Sequence, residues 1–478
     1  MGPILWTGAC VLLLFGALRW RQAVIVALGL AVFEGALRKW AFPEFGQWIY
    51  LAKDALLLGA YAAFYGPRLR QHQPLVDRHP ANGAISLFSL LAACQLLNPY
   101  LPNLYVGLFG IKAYLVYVPL MYMVPAVFPD ERVLPRFWTW ALILSLIPLG
   151  LGVMQFSAPA DSILNRYAWE DEFGSSVAGF ADMGKVRITG TFSYITGYTT
   201  YLTLVFLTGV AWVIFEQRRW FRWGLYGMLG LVLANLMMTG SRGPFLILGA
   251  AVAVLLVLAW QSRAPGRSSV LTLCVVLPLT VLLAGRLFPE ARTAFTERVQ
   301  QSEDIPERLA GILHNPIWAL GETDSFGYGI GSTHQATAFL IPAGFSGPLP
   351  PEAEGEWERV ILEVGPFGFA LTILVRILVT RQLWMTFLAS QGTALQPYLA
   401  AAFLFSLVSI PGSLVFNHTA SIFYWFLAGF GLLPAGRQEI ASLAAGLGSS
   451  SILSRSSTAV SPERPSIKAT LPQTQQNL

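Results

Sequence analysis

Charge is what this sequence has least of. Only 12% of its 478 residues are Asp, Glu, Lys or Arg, about half the roughly 25% of a soluble globular chain. Too few ionic groups remain to solvate an ordinary surface, while 55% of the residues are hydrophobic and mean hydropathy is +0.56. Cysteine is scarce too. Cys10, Cys94 and Cys274 all fall in apolar runs, which excludes a disulfide framework or CxxC metal site and predicts small buried residues. Among the five histidines, His72 and His79 stand apart from His314, His334 and His418, and none has an HExxH or Cys partner pattern for zinc. The net charge of +5 is scattered, so no basic stripe fits nucleic acid. Glu170-Asp171-Glu172 reads as a solvated acidic patch.

What is present is a succession of uncharged runs, such as 191–215 and 244–260. About 20 apolar residues cross a hydrocarbon core as a helix, and these runs do not alternate as barrel strands would. The pattern predicts an all-α polytopic membrane protein of about 12–13 transmembrane helices with one large outer loop. Spans are expected near 3–18, 22–37, 47–65, 82–97, 104–128, 138–157, 191–215, 222–239, 244–260, 269–287, 359–380, 396–415 and 419–435. The first lacks a basic leader and an A-x-A-like exit, so it reads as a retained helix.

Lys and Arg in short loops mark the cytoplasmic side. Arg19, Arg21, Arg68, Arg70, Arg78, Arg218, Arg219, Arg222, Arg263, Arg267, Arg381 and Arg437 share one side, which puts the N-terminus outside and the C-terminus in the cytoplasm. Arg38-Lys39 is the exception. The organisation is then N-terminal helices over 1–157, an outer loop over 158–190 and central helices over 191–287. A large acidic outer (periplasmic) loop follows over 288–358, then C-terminal helices over 359–436 and a disordered cytoplasmic tail over 437–478. Segment 290–313 is expected as an amphipathic helix and 341–355 as irregular.

Ionisable groups inside spans are costly unless paired or hydrated. Glu34 lies one turn from Arg38; Lys53 and Asp54 lie roughly 9 Å and Lys112 roughly 12 Å from the outer ends of their spans. Two readings stand: structural ion pairs between helices, or the lining of a water-filled outer vestibule.

The outer turn Thr239-Gly240-Ser241-Arg242-Gly243-Pro244 carries a sharper signal. Pro244 suits a helix start, and the free N–H groups of that start beside a guanidinium form an anion site; a headgroup contact is the plainer reading. Arg187-Ile-Thr-Gly-Thr-Phe-Ser places a second arginine in the same layer, with Thr189 and Thr191 as helix caps. Arg308 precedes Gly327-Tyr-Gly-Ile-Gly331, whose glycines permit close backbone approach to a ligand; a plain turn is the commoner reading of such a run. Glu354, Glu356, Glu358 and Glu363 form an acidic run in which one carboxylate is a candidate general base.

In this order, RITGTFSYITGYTTYL at 187–202, TGSRGPFLILGA at 239–250, Arg308 with FGYGIGS at 326–332 and ILEVGPFGF at 361–369 resemble the O-antigen ligase and O-antigen polymerase family. The resemblance is densest over 185–380. It implies a GT-C-like, metal-independent glycosyltransferase of the bacterial inner membrane, active in O-antigen or exopolysaccharide synthesis and needing no cofactor. The donor would be a glycan on undecaprenyl diphosphate. The acceptor would be a hydroxyl of a glycan, lipid or protein, as polymerase or ligase. By the resemblance, Arg187, Arg242 and Arg308 hold the donor diphosphate, with Arg38, Lys53 and Lys112 lining the substrate vestibule. Ligases of the family place His-Asn about nine residues before their E-x-G-x-x-G. Here that position is Glu354-Gly355, so Glu354, Glu356 or His334 is the candidate catalytic base. The competing expectation is a secondary transporter or flippase using the same outward charged vestibule.

Overall fold

A computed structural model describes residues 2–433, apart from 131, 169–177, 181–183, 216–218, 262–266, 301–304, 336 and 343–344. The helices run α1 (Gly2–Leu18), α2 (Trp20–Ala36), α3 (Gly46–Arg70), α4 (Asn82–Cys94), α5 (Leu104–Leu115), α6 (Leu120–Val127) and α7 (Val133–Ser157). They continue as α8 (Ile195–Phe215), α9 (Arg219–Met238), α10 (Gly243–Gln261), α11 (Arg267–Leu287), α12 (Pro289–Gln300) and α13 (Ile305–Gly321). The last are α14 (Thr337–Leu340), α15 (Glu356–Ala389), α16 (Gln396–Val408) and α17 (His418–Ala428). Among the described residues, β-structure is confined to an antiparallel ribbon of β1 (Gly179–Phe180) and β2 (Lys185–Val186). The tail expected over 437–478 and the acidic patch Glu170-Asp171-Glu172 lie outside the described residues.

The protein is an all-α, multi-pass membrane protein. Among the described residues, five helical segments are long and apolar enough to cross a membrane: 20–41, 133–157, 195–215, 221–238 and 356–389. The number is up to seven if the bent pairs 104–127 and 272–297 each make one crossing. Of the thirteen spans expected, several fall on described helices that are short or carry charge. α4, α16 and α17 have 13, 13 and 11 residues, and α3 carries Lys53, Asp54, Arg68 and Arg70.

Leu279, Leu282, Leu283 and Leu287 stand exposed along α11, as do Ile143, Leu146 and Ile147 on α7. Such apolar outer faces need lipid rather than water. The same faces correct the expectation for cysteine: Cys10, Cys94 and Cys274 are all exposed, because an apolar run in a membrane helix has an outer as well as an inner face.

Three departures from the expected helices shape the interior. The span at 104–128 bends by 42° between α5 and α6, at Pro119. The carbonyls freed there are not orphaned: Tyr61 and Tyr65 of α3 donate their hydroxyls to Val116 O at 2.8 Å and Pro119 O at 2.9 Å, as a membrane interior requires. The helix expected over 290–313 is two helices, α12 and α13. The span expected at 359–380 belongs to α15, which is broken at Gly365, where φ is 72° and ψ 178°. That conformation is essentially restricted to glycine.

The Gly327–Gly331 loop fills the break. Tyr328 N–H donates to Leu362 O at 2.7 Å and Gly329 N–H to Glu363 O at 3.0 Å, capping the carbonyls that the kink exposes. On its other side Gly331 abuts Gly110 of α5 so closely that a Cβ on Gly110 would lie 2.6 Å from Gly331 N. The close approach expected to a ligand is instead to the backbones of two helices.

Candidate functional site

A row of ionised side chains runs from α2 through α3 to α5. α2 ends in a π-turn, Leu37–Ala41, that swings both Arg38 and Lys39 inward. Arg38 Nη1 lies 3.5 Å from Glu34 Oε1, and Lys53 Nζ lies 2.5 Å from Glu34 Oε2. Lys112 pairs with Asp54 Oδ2 at 3.0 Å, and Tyr117 donates to Asp54 Oδ1 at 2.7 Å. Tyr50 lies among the cations, with Lys112 Nζ 4.2 Å, Lys53 Nζ 4.4 Å and Arg38 Cζ 5.6 Å from its ring centre. Arg38, Lys53 and Lys112 thus lie in one cluster. With Lys39 the row has four cations, set among the described residues against the two carboxylates Glu34 and Asp54.

The row continues into the segment 187–193. Lys39 Nζ donates to Thr189 Oγ1 at 3.0 Å and Gly190 O at 2.8 Å; Arg38 Nη1 donates to Ser193 Oγ at 3.1 Å. Gly35 leaves no room for a Cβ against Phe192 and Ser193, so α2 and this segment pack backbone to backbone. This explains Arg38-Lys39, the pair that broke the loop-charge rule. It also corrects the role expected of Thr189 and Thr191. They do not cap a helix: α8 begins at Ile195, Thr189 accepts from Lys39, and Thr191 donates to Val32 O at 2.6 Å.

Two loops distant in sequence meet at the turn before α10. Arg187 Nε donates to Thr239 O at 2.7 Å and Nη2 to Ser241 Oγ at 3.3 Å. Gly240 turns there with φ at 64°, and the half-buried Arg242 follows at the start of α10. Arg308 belongs to α13, but its side chain lies outside the described residues.

The third part surrounds the break in α15. Glu363 is fully buried and accepts from Tyr114 Oη at 2.9 Å, Thr333 N–H at 2.9 Å and Thr333 Oγ1 at 2.8 Å. His334, next along the loop, is half-buried beside Phe109, Phe416 and His418, at ring-centre distances of 4.7, 6.0 and 5.7 Å. Burial, reinforced by Arg359 and Lys112, pushes its imidazole down to about 3, so it is neutral near pH 7. Arg359 donates to Thr333 O at 2.6 Å and lies 3.6 Å over Phe416.

The acidic run does not act as one group. Glu354 is exposed ahead of α15. Glu356 is buried and ion-paired with Arg376, and its second oxygen accepts from Ser413 Oγ and the backbone N–H groups of Leu414, Val415 and Phe416. A carboxylate so fully engaged is a fastening. His314 is exposed on α13 and has no place in the cluster. Sequence reading missed Arg359, Tyr50 and His418; an Asn-His pair opening an apolar helix was the only signal for the last.

No protein-family model matches the chain, and no curated protein matches its sequence.

Proposed function

We propose that the chain is a membrane glycosyltransferase that moves a glycan from an undecaprenyl-diphosphate carrier to an acceptor hydroxyl, as an O-antigen or exopolysaccharide polymerase or ligase. The observation that carries this reading is the junction of Arg187 with the 239–242 turn, joined through Thr189 and Gly190 to Lys39. Segments distant in sequence there build a cationic site at helix ends of a membrane protein. The reading includes the GT-C-like arrangement, the bacterial inner membrane, and an orientation with N-terminus outside and C-terminus in the cytoplasm.

In this mechanism Arg187 and Arg242 hold the donor diphosphate; their planar forks suit phosphate oxygens and stay charged. The family resemblance assigns Arg308 to the same group. A base, Glu354 or His334, takes the proton of the acceptor hydroxyl. The hydroxyl oxygen bonds to the anomeric carbon, and the bond from that carbon to the diphosphate oxygen breaks. The diphosphate leaves with the electron pair, its charge met by the arginines. Glu356, already saturated by Arg376 and four further donors, is unsuited to this step; Glu354 is exposed, and His334, pushed down to about 3, is a weak proton acceptor.

A transporter or flippase remains the rival, favoured by the broken helix at Gly365, a feature of transporter binding sites. Deleting the gene and resolving lipid-linked and surface glycans by length separates the readings. Single repeat units accumulating on the carrier indicate a polymerase, and long chains stranded on it indicate a ligase. An unchanged profile counts against transfer.

A further inference from the structure

The charged row has two ends, and the proposed donor site uses only one. At the other end four elements converge: Lys112 from α5, His334 from the glycine loop, Arg359 from the first half of α15, and His418 opening α17. Two aromatic rings flank His334, and each carries a cation. Phe109, 4.7 Å from the imidazole, has Lys112 Nζ at 5.0 Å; Phe416, 6.0 Å away, has Arg359 at 3.6 Å.

Three of these groups are under-used by the protein itself. Among the described residues, Lys112 has one ion pair, with Asp54, and otherwise faces the rings of Tyr50 and Phe109. Arg359 pairs with no carboxylate among the described residues; it donates to the Thr333 carbonyl. Both ring nitrogens of His418 are shielded from solvent and make no hydrogen bond, although its ring packs on Tyr50 at 5.2 Å and His334 at 5.7 Å. Buried polar atoms without partners are rare and call for an explanation. Lys112, His334, His418 and Tyr50 are each only partly buried as residues, whereas Lys112 Nζ and both His418 nitrogens are themselves shielded from solvent. Cations on aromatic faces exchange that contact for charge-assisted hydrogen bonds when an oxyanion arrives.

We propose that Lys112, Arg359, His334 and His418 form a second anion site, separate from the Arg187–Arg242 turn, that binds a phosphate or diphosphate carried by the acceptor. Between the two sites stands the row Lys39, Arg38, Glu34 and Lys53. The acceptor is then itself a phosphorylated, lipid-linked glycan or glycolipid, and a neutral protein hydroxyl is disfavoured. The acceptor assignment rests on the transferase reading; the existence of the anion site does not.

The test is native mass spectrometry of the whole protein in phosphatidylcholine nanodiscs, titrated with inorganic pyrophosphate. Wild type should take up two pyrophosphates, Arg242→Ala one, and Lys112→Gln and Arg359→Gln one each, with at least tenfold weaker binding at the affected site. Lys112→Arg should restore the second. If Lys112→Gln fails to fold, Arg359→Gln carries the comparison. A wild type that binds a single pyrophosphate, unaffected by Lys112→Gln and Arg359→Gln, overturns the proposal. Loss with the Lys112 and Arg359 variants but not with Arg242→Ala keeps this site and removes the donor site. Repeating the titration in phosphatidylglycerol nanodiscs separates the sources of phosphate. Retention of the Lys112-dependent site supports an acceptor ligand, and its disappearance means a lipid-headgroup site and overturns the acceptor assignment.

Discussion

Glu356 and Arg376 form a buried ion pair although they are 20 residues apart on what hydrogen bonding alone would call one helix. A straight helix would separate them by about 30 Å. The chain therefore doubles back at Gly365, and the first half of α15 lies alongside the second. Arg376 also donates to the carbonyls of Ser409, Ile410 and Gly412 beyond α16. One guanidinium thus holds the folded-back segment, and with it Arg359 and Glu363, against the bundle.

Breaking that fastening should unfold the site rather than retune it. Glu356→Gln or Arg376→Met leaves a buried charge uncompensated and should cost about 3–5 kcal/mol. Thermal unfolding in detergent checks this. A Glu356→Gln protein of wild-type stability but no activity would instead assign Glu356 to the chemistry.

Gly365→Ala should destabilise by about 1–3 kcal/mol from backbone strain, and more where the new Cβ meets the Ser325 carbonyl. The measurement is the same melt, with Gly150→Ala, where nothing lies within 4 Å of the added Cβ, as the control. Equal melting of the two variants would contradict the break.

How much of this was legible in the sequence follows from what each feature needs. Glycine followed by proline in Val364-Gly365-Pro366 marks a helix stop and restart, yet the surrounding apolar run reads as a single span. The partnership of Arg187 with the 239–242 turn was visible only as two arginines of one layer; the hydrogen bonds that join the two loops need the fold. Lys53, Asp54 and Lys112 announced themselves as charges in apolar helices. Arg359 sat unnoticed inside an acidic run, and Arg376 inside a span, because their partners come from loops more than 25 residues away in sequence. The cysteines misled because hydropathy does not say which face of a helix meets lipid.

Arg242→Ala should lower transfer by at least about a hundredfold, as loss of a donor to developing charge does. Single-turnover transfer with a lipid-linked donor, alongside a melt, distinguishes this from a folding defect. Arg187→Lys should be worse folded, because an ammonium cannot serve Thr239 O and Ser241 Oγ with the fork of an arginine.

His334 gives a pH dependence with a definite sign. Its folded value of about 3 lies below the ordinary value of 6.5, so the unfolded chain takes up a proton before the folded one does. The stability it contributes is complete above pH 6.5 and is lost as pH falls from there towards 3. Melting temperature should decline on acidification through that window, and His334→Gln should flatten the decline. In the free enzyme, kcat/KM should show no acid limb near pH 6.5 from this group. An acid limb there would contradict a neutral, enclosed imidazole.

The most direct test of the account is a transfer assay with the purified protein in nanodiscs, given a polyprenyl-diphosphate-linked glycan donor and a lipid-linked acceptor. The account predicts elongated acceptor together with released polyprenyl diphosphate, both lost in Arg242→Ala. Intact donor, with no elongation by wild-type protein that is folded and binds pyrophosphate, would contradict it.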